Sequence, residues 1–275
     1  MIMRKTNPAY VLGHSEGELS RLKIQARLLE SATRQIFREA GLETGMRVLD
    51  VGSGAGDVAF LAAELVGVSG IVIGTDIAAA AVAAATRSAE ERGLARVSFR
   101  EGDAAELTFD QPFDAVVGRY VLLFQADPAE LVRKIARHVR PGGLVIFHEP
   151  DWVGTRSIPP APTYDRCCEW IRETFRLAGT DSNMAGKLFT TFIRAGMGPP
   201  QMRMQTFIGG GAASVTFLEA VADLIRTLRP KMEQLGVAAL SDADVETLAE
   251  RLMHEATNNE SVIVGRAEVG AWARV

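Results

Sequence analysis

The hydrophobic and polar positions of the chain change their period near residue 46. Before that point, apolar residues recur at helical spacing and predict one long helix over about residues 15–40. From residue 46 to residue 150, short runs rich in β-branched residues alternate with stretches of helical period. This alternation predicts βαβ units, in which neighbouring strands of a largely parallel sheet are joined by helices.

The alternating region contains five predicted strands with helices between them. The expected strands cover residues 48–51, 70–75, 97–100, 113–117 and 144–148, and the expected helices cover 57–66, 78–92 and 128–139. An open parallel sheet binds its ligands at the carboxyl ends of its strands. Residues that directly follow these strands are therefore the first candidates for function.

The regular alternation ends after residue 150. There the pattern predicts helices over about 163–178, 184–195, 214–228 and 242–257, and two more strands over 201–208 and 261–269. We expect an N-terminal arm and helix at residues 1–41 and a main α/β domain at residues 42–275. Helical insertions at about 155–195 and 212–257 are expected to form a cap together with the arm.

Composition and charge count against several classes of protein. Hydrophobic residues make up 47% of the 275 residues and charged residues 23%, which is ordinary for a soluble globular protein. The formal net charge of −4 opposes a nucleic-acid partner, and no apolar stretch is long enough to span a membrane. The only cysteines, Cys167 and Cys168, are adjacent and predict free thiols in a reducing, cytoplasmic compartment. Neither a metal site nor a particular oligomeric state is indicated.

A glycine-rich loop after the first predicted strand is the sharpest local motif. It reads Asp50-Val51-Gly52-Ser53-Gly54-Ala55-Gly56, and its glycines allow a tight turn and the close approach of a ligand. A dinucleotide fingerprint would place its third glycine at position 57, where this chain has Asp57. That carboxylate would repel a pyrophosphate from the positive end of the helix. The loop favours an adenosyl ligand with an amino-acid end and no phosphate.

Two further aspartates follow the second and third predicted strands. Asp76 can accept hydrogen bonds from both hydroxyls of a ribose, or it can cap the helix that follows. Asp103 can accept a hydrogen bond from the amine of adenine, or it can simply belong to a turn. Together with the glycine loop, the two residues predict one adenosyl ligand across three strand ends.

These motifs resemble those of class I S-adenosylmethionine-dependent methyltransferases over about residues 40–150. The resemblance rests on the loop at residues 48–56, Asp76, Gly102-Asp103-Ala104, the strand at residues 113–117, and Arg140-Pro141-Gly142-Gly143-Leu144, which occur in the family's order. It is strongest to the small-molecule methyltransferases of ubiquinone and menaquinone biosynthesis. It implies an α/β, Rossmann-like fold with a mostly parallel seven-stranded sheet and helices on both faces.

The resemblance also implies S-adenosylmethionine as cofactor and assigns residues to it. Gly52 and Gly54 would pass close to the methionine part, while Asp50 would orient the loop or the amino group. Asp76 would hold the ribose, and Ile77 would lie against adenine. The full set implied to bind the cofactor is Tyr10, Arg21, Gln25, Asp50, Gly52, Ser53, Gly54, Asp76, Ile77, Asp103, Ala104 and Arg119.

The expected reaction is an in-line transfer of the methyl group to a small biosynthetic or secondary metabolite. The enzyme mainly has to place the acceptor atom and exclude water, and some acceptors also need a base. The candidate bases are His148, Glu149, Asp151 and His14. The candidate residues for the acceptor pocket are Phe124, Trp152 and Asn183.

Other functions share parts of this pattern. A non-catalytic S-adenosylmethionine-binding protein would carry the same cofactor motifs and differ only in having no turnover. A methyltransferase of macromolecules is opposed by the acidic charge balance. After the fourth strand this chain reads Gly118-Arg119-Tyr120-Val121, instead of the asparagine-proline-proline-tyrosine signature of nucleic-acid amino methylation. A nicotinamide-dependent oxidoreductase is opposed by Asp57 in the place of a glycine.

Overall fold

A computed structural model describes residues 29–275, which divide into two compact units. The sheet unit contains Leu29–Glu149, Ala185–Arg203 and Val269–Val275, and the helical unit contains Pro150–Met184 and Met204–Glu268. The candidate residues Tyr10, His14, Arg21 and Gln25 lie outside the described residues.

The elements of both units follow one another in chain order. The helices are α1 at residues 29–40, α2 Asp57–Val66, α3 Ala79–Glu91, α4 Pro128–Ala136, α5 Pro162–Leu177, α6 Leu188–Arg194, α7 Val215–Gln234, α8 Asp242–Glu246 and α9 Leu248–Asn258. The strands are β1 Arg47–Val51, β2 Ile71–Asp76, β3 Val97–Glu101, β4 Phe113–Arg119, β5 Val139–Asp151, β6 Arg156–Ile158, β7 Gln201–Gly210 and β8 Val262–Arg274.

The sheet unit is built on the predicted parallel strands. Its strand order is β3-β2-β1-β4-β5-β8, and the pairs β2–β3, β1–β2, β1–β4 and β4–β5 are all parallel. This order brings the carboxyl ends of β1, β2, β3 and β4 to one edge of the sheet. The mostly parallel α/β sheet agrees with the sequence prediction.

Helix α1 packs against the core of the sheet unit. Ile36 and Phe37 are fully buried and belong to the same apolar cluster as Val48, Val117 and Ile146 on the central strands. Burial of such side chains contributes about 1.5–3 kcal/mol each relative to exposure. This packing fixes the buried face of α1 against β-sheet residues, and Thr33 lies one turn before Ile36 and Phe37.

The helical unit has a core of its own. Helices α5, α7 and α9 supply most of it, with Tyr164, Ile171, Leu218, Ile225 and Leu252 all fully buried. The first residues of β8 pair antiparallel with β6, so that Ser157 lies opposite Ile263. Cys167 and Cys168 are free thiols buried in α5.

Several boundaries differ from the sequence prediction for local reasons. β5 begins at Val139 because that residue pairs with Phe113 of β4, and Gly142 and Gly143 then exchange backbone hydrogen bonds with Val275, at 2.8 and 3.0 Å. β6 raises the strand count from the expected seven to eight among the described residues. Helix α7 continues through Pro230 to Gln234 because Met232, beyond the proline, is buried in the core.

Two predicted helices differ more strongly. The expected helix over 242–257 is divided at Thr247 into α8 and α9. The expected helix over 184–195 is shorter, because a 3-10 turn at Ala185–Lys187 precedes α6. Within residues 29–275, no helix combines the length and the apolar character needed to cross a membrane.

Candidate functional site

The glycine loop joins the end of β1 to the start of α2. Gly52, Gly54 and Gly56 have φ values of +65°, +52° and +94°, which only glycine adopts without strain. The Ser53 amide donates to the carbonyl of Thr75 at 2.9 Å, and this bond ties the loop to the end of β2. The sequence requires three glycines here because the backbone turns through left-handed conformations at three positions.

The surroundings of the loop differ between Gly52 and Gly54. A Cβ atom at Gly52 would lie 2.9 Å from Cγ2 of Val121, so the loop packs tightly against the turn after β4. Around a Cβ atom at Gly54, the described residues place no heavy atom within 4 Å. With respect to residues 29–275, the Gly54 backbone therefore borders open space, where a ligand can approach it closely.

Asp76 connects the glycine loop to the end of β2. Its Oδ2 accepts a hydrogen bond from the Gly54 amide and its Oδ1 accepts one from the Ala78 amide, both at 2.9 Å. The carboxylate is half-buried, and each oxygen still has lone-pair capacity for a further donor. Asp76 thus bonds both the loop and the start of the α3 segment, whereas its contact with a ribose stays a prediction.

Ile77, Asp103 and Ala104 lie at the neighbouring strand ends. The Ile77 side chain is 76% exposed, although it is large and apolar. The exposed Asp103 accepts a hydrogen bond from the Ala105 amide at 2.9 Å, while Ala104 is buried. Because the Gly102 amide donates to the Asp76 carbonyl at 2.9 Å, these residues belong to adjacent ends of β2 and β3.

Asp50 and Ser53 carry buried polar atoms beside the loop. Neither carboxylate oxygen of Asp50 nor the Ser53 hydroxyl has a hydrogen-bond partner among the described residues. Burial raises the pKa of the Asp50 carboxyl well above its usual range, and the negative charges of Asp76 and Asp57 act in the same direction. The positive charge of Arg119 lowers that pKa, and so does the nearby Ala59 amide, although its geometry falls outside that of a hydrogen bond to the carboxylate. A buried carboxyl without donors is a place where a ligand can supply them.

Arg119 is linked to His148 through a residue that sequence reasoning did not identify. The Arg119 guanidinium donates to Thr33 Oγ1 at 3.2 Å, and the same oxygen lies 3.1 Å from Nδ1 of His148. His148 is fully buried, and its ring meets the Tyr120 ring edge-on at 5.8 Å between centroids. A threonine on the otherwise apolar, buried face of α1 was the available signal for this contact.

Glu149 has a structural role in the turn that follows β4. Its Oε1 accepts hydrogen bonds from the amides of Val121 and Leu122, at 2.9 and 2.7 Å, and its Oε2 accepts one from Leu123 at 3.4 Å. Tyr120, just before this turn, has a left-handed φ of +59°, which is uncommon for a residue other than glycine. The carboxylate therefore holds Val121 in the position where it meets Gly52.

The predicted acceptor residues occur in both units. Phe124 is half-buried in the 3-10 turn Leu122–Phe124 of the sheet unit. Trp152, in the helical unit, is 2% exposed, and the Arg266 guanidinium lies 5.1 Å from the centroid of its ring. Asn183, also in the helical unit, donates its amide to Asp181 at 3.1 Å. Their contact with an acceptor stays a prediction.

Asp151, the last residue of β5, accepts a hydrogen bond from the Val153 amide at 2.7 Å. Across residues 29–275, no three side chains of histidine, cysteine, aspartate or glutamate come together in a way that would hold a metal ion.

Comparison with known proteins places the chain in a family. The family described as a methyltransferase domain matches residues 42–190. Similar proteins include an arsenite methyltransferase of Aquipseudomonas alcaligenes, 39% identical over 38% of this chain and 33% of the relative. Another is the ubiquinone/menaquinone biosynthesis C-methyltransferase UbiE of Bdellovibrio bacteriovorus, 33% identical over 42% of this chain and 49% of the relative. Each of these matches spans half or less of the relative's own length.

Solved structures show the same fold. The YcgJ protein of Bacillus subtilis has a TM-score of 0.58 at 19% identity, and the match covers 89% of this chain and 99% of that one. A putative methyltransferase of Bacillus halodurans has a TM-score of 0.57 at 20% identity, covering 89% of this chain and 98% of the other. The Rossmann-like α/β fold and the resemblance to class I methyltransferases are thereby confirmed, and the chain belongs to the methyltransferase domain family.

Proposed function

We propose that the chain binds S-adenosylmethionine at the carboxyl ends of β1 to β4 and transfers its methyl group to a small molecule. Similar proteins carry the names of methyltransferases acting on arsenite, on aklanonic acid and in ubiquinone or menaquinone biosynthesis. The acceptors in these names are small molecules, although their chemistry differs widely. The observation that carries the proposal is the hydrogen bond between Asp76 and the Gly54 amide, which joins the two motifs into one site.

The side chains of the sheet unit fit the chemical groups of this cofactor. Within the described part of the chain, the oxygens of Asp50 and the hydroxyl of Ser53 lack donors that an ammonium group would supply. The space beside Gly54, which no heavy atom of residues 29–275 fills, admits a ligand without displacing the backbone. The exposed apolar Ile77 offers a surface for a purine ring, beside the carboxylates of Asp76 and Asp103.

The bound cofactor would supply an electrophilic methyl group on a positively charged sulfur. The residues of the chain have to bind and orient the reactants, and proximity of this kind lowers barriers by about 7–11 kcal/mol. Asp76 and Asp103 hold the nucleoside end, while Asp50 holds the amino-acid end. Of the described candidates for a base, we favour His148 over Glu149, because Glu149 already accepts three backbone amides.

The chemistry of the whole chain supports a small acceptor in a reducing compartment. The net charge of −4 and the pI of about 5.7 oppose binding to the phosphates of a nucleic acid. The free, buried thiols of Cys167 and Cys168 are typical of a cytoplasmic protein. We therefore propose a cytoplasmic enzyme of small-molecule metabolism.

Isothermal titration with S-adenosylhomocysteine tests the proposal. We expect Asp76→Ala to weaken binding at least about tenfold, because the variant lacks the carboxylate that bonds both the ligand and the glycine loop. Asp110→Ala is the matched control, since it removes an exposed aspartate after β3 and should bind like the unmodified protein. Failure of the folded, unmodified protein to bind would contradict the proposed cofactor.

Turnover separates an enzyme from a non-catalytic binding protein. Release of S-adenosylhomocysteine is to be measured with arsenite, a naphthoquinol and an aromatic carboxylic acid as acceptors. The proposal predicts product with at least one acceptor class and no product when Gly54 is replaced by valine. Binding without product across the three classes would contradict catalysis on such acceptors.

A further inference from the structure

The hydroxyl of Thr33 is the centre of a buried hydrogen-bond network in the sheet unit. Thr33 is fully buried on α1, and its Oγ1 meets three groups from three elements. It lies 2.9 Å from the Leu29 carbonyl, 3.2 Å from the Arg119 guanidinium and 3.1 Å from His148 Nδ1. These contacts connect the helix to the carboxyl ends of both β4 and β5.

Hydrogen-bond chemistry limits how this network can be arranged. A carbonyl only accepts and a guanidinium only donates, whereas a hydroxyl has one proton and two lone pairs. The Thr33 proton is directed to the Leu29 carbonyl, so its oxygen accepts from Arg119. The remaining lone pair then faces His148 Nδ1, which has to be the donor in that contact.

We propose that Thr33 is a positioning residue that holds His148 in the tautomer protonated at Nδ1. The neutral ring then carries its lone pair on Nε2. Thr33 thus sets the orientation of the imidazole and the nitrogen that carries its proton.

The catalytic consequence of this tautomer rests on the proposed function. When an acceptor X–H is methylated, its bond to hydrogen breaks as the bond from X to the methyl carbon forms. The proton would pass to Nε2 of His148, which would become an imidazolium, while the electron pair of the broken bond between sulfur and the methyl carbon would stay on the sulfur. A base held in this way typically contributes about 10²–10⁴-fold to the rate.

The tautomer is measurable by nitrogen-15 NMR of the histidine rings in the cofactor-free protein. The sequence contains four histidines, and the His148→Gln variant identifies which ring signals belong to residue 148. We expect Nδ1 of His148 to show the signal of a protonated nitrogen and Nε2 that of an unprotonated one. A His148 ring protonated only at Nε2, or at both nitrogens near neutral pH, would overturn the inference.

Substitutions of Thr33 test its role in that state. Thr33→Val removes the hydroxyl at similar volume and should move the proton away from Nδ1, whereas Thr33→Ser should retain the normal spectrum. Thr86→Val is the matched control, because Thr86 makes the same hydroxyl bond to a carbonyl four residues earlier, at 2.9 Å. An unchanged His148 spectrum in Thr33→Val, or a changed one in Thr86→Val, would contradict the assignment.

Turnover provides the second measurement. We expect Thr33→Val to lower kcat about tenfold or more and Thr33→Ser to restore most of it. If Thr33→Ser loses as much activity as Thr33→Val, the hydroxyl is not the feature that matters. The ring spectra require no cofactor, so a protein with the expected tautomer that fails to bind S-adenosylmethionine would refute the proposed function alone.

Discussion

Replacement of Gly54 by alanine separates backbone strain from loss of ligand space. Gly54 has a φ of +52°, and a Cβ atom there would touch no described heavy atom within 4 Å. Gly93, at the end of α3, is the matched control, because its φ is +65° and its Cβ would also meet open space. Alanine at either position therefore introduces the same kind of backbone strain, but the two positions lie in different parts of the chain.

The expected magnitudes follow from that comparison. A residue with a Cβ atom in the left-handed region costs about 1–2 kcal/mol, so both variants should lose about that much free energy of unfolding. Only at Gly54 does the added methyl group enter the space proposed for the cofactor. We expect Gly54→Ala to weaken binding of S-adenosylhomocysteine at least about tenfold, or about 1.4 kcal/mol.

Urea denaturation and isothermal titration measure the two effects on the same samples. Equal losses of unfolding free energy, together with weak binding in Gly54→Ala and normal binding in Gly93→Ala, would support the assignment. If Gly54→Ala binds as tightly as Gly93→Ala, the ligand does not approach this part of the loop.

Three other predictions concern buried ionisable groups. Because folding raises the pKa of Asp50, ionisation of this residue does not reduce the free energy of unfolding below about pH 3.8, its ordinary pKa. The free energy of unfolding then falls as pH rises towards the raised pKa. Asp50→Asn should therefore gain unfolding free energy over the unmodified protein as pH increases from about 4 to about 8; a constant difference would contradict this. Glu149→Gln should lower the free energy of unfolding in urea by about 1–3 kcal/mol, because the side-chain NH2 group of glutamine cannot accept the hydrogen bond from the Leu123 amide. Glu91→Gln, at an exposed position, should change the free energy of unfolding little. Burial raises the pKa of Cys167 to about 12 and that of Cys168 to about 11, so both thiols should resist alkylation until the protein is unfolded. Rapid labelling of the folded protein would refute their burial.

Local motifs identify the candidate cofactor residues in the sequence, and their contact with a ligand stays a prediction. The glycine loop and the aspartates after β2 and β3 depend on short stretches of chain, and the parallel sheet brings their ends together. The bond from Asp76 to Gly54 follows from that arrangement. The sequence did not predict β6, because this strand has only three residues and forms by pairing with β8.

Long-range contacts account for what the sequence did not reveal. Thr33 and His148 are 115 residues apart, and no local pattern indicates that they meet. Glu149 is a candidate base by its position at the end of β5, and that role stays a prediction. Its hydrogen bonds to backbone amides 26 to 28 residues earlier could not be read from any side-chain pattern.

The central claim is that the ends of β1, β2 and β3 hold one adenosyl ligand without phosphate. Equilibrium dialysis of the purified, folded protein against radiolabelled S-adenosylmethionine tests it most directly. The account predicts saturable binding of one ligand per chain, displaced by S-adenosylhomocysteine but not by ATP or NAD. No saturable uptake, or displacement by the phosphate-containing nucleotides instead, would contradict it.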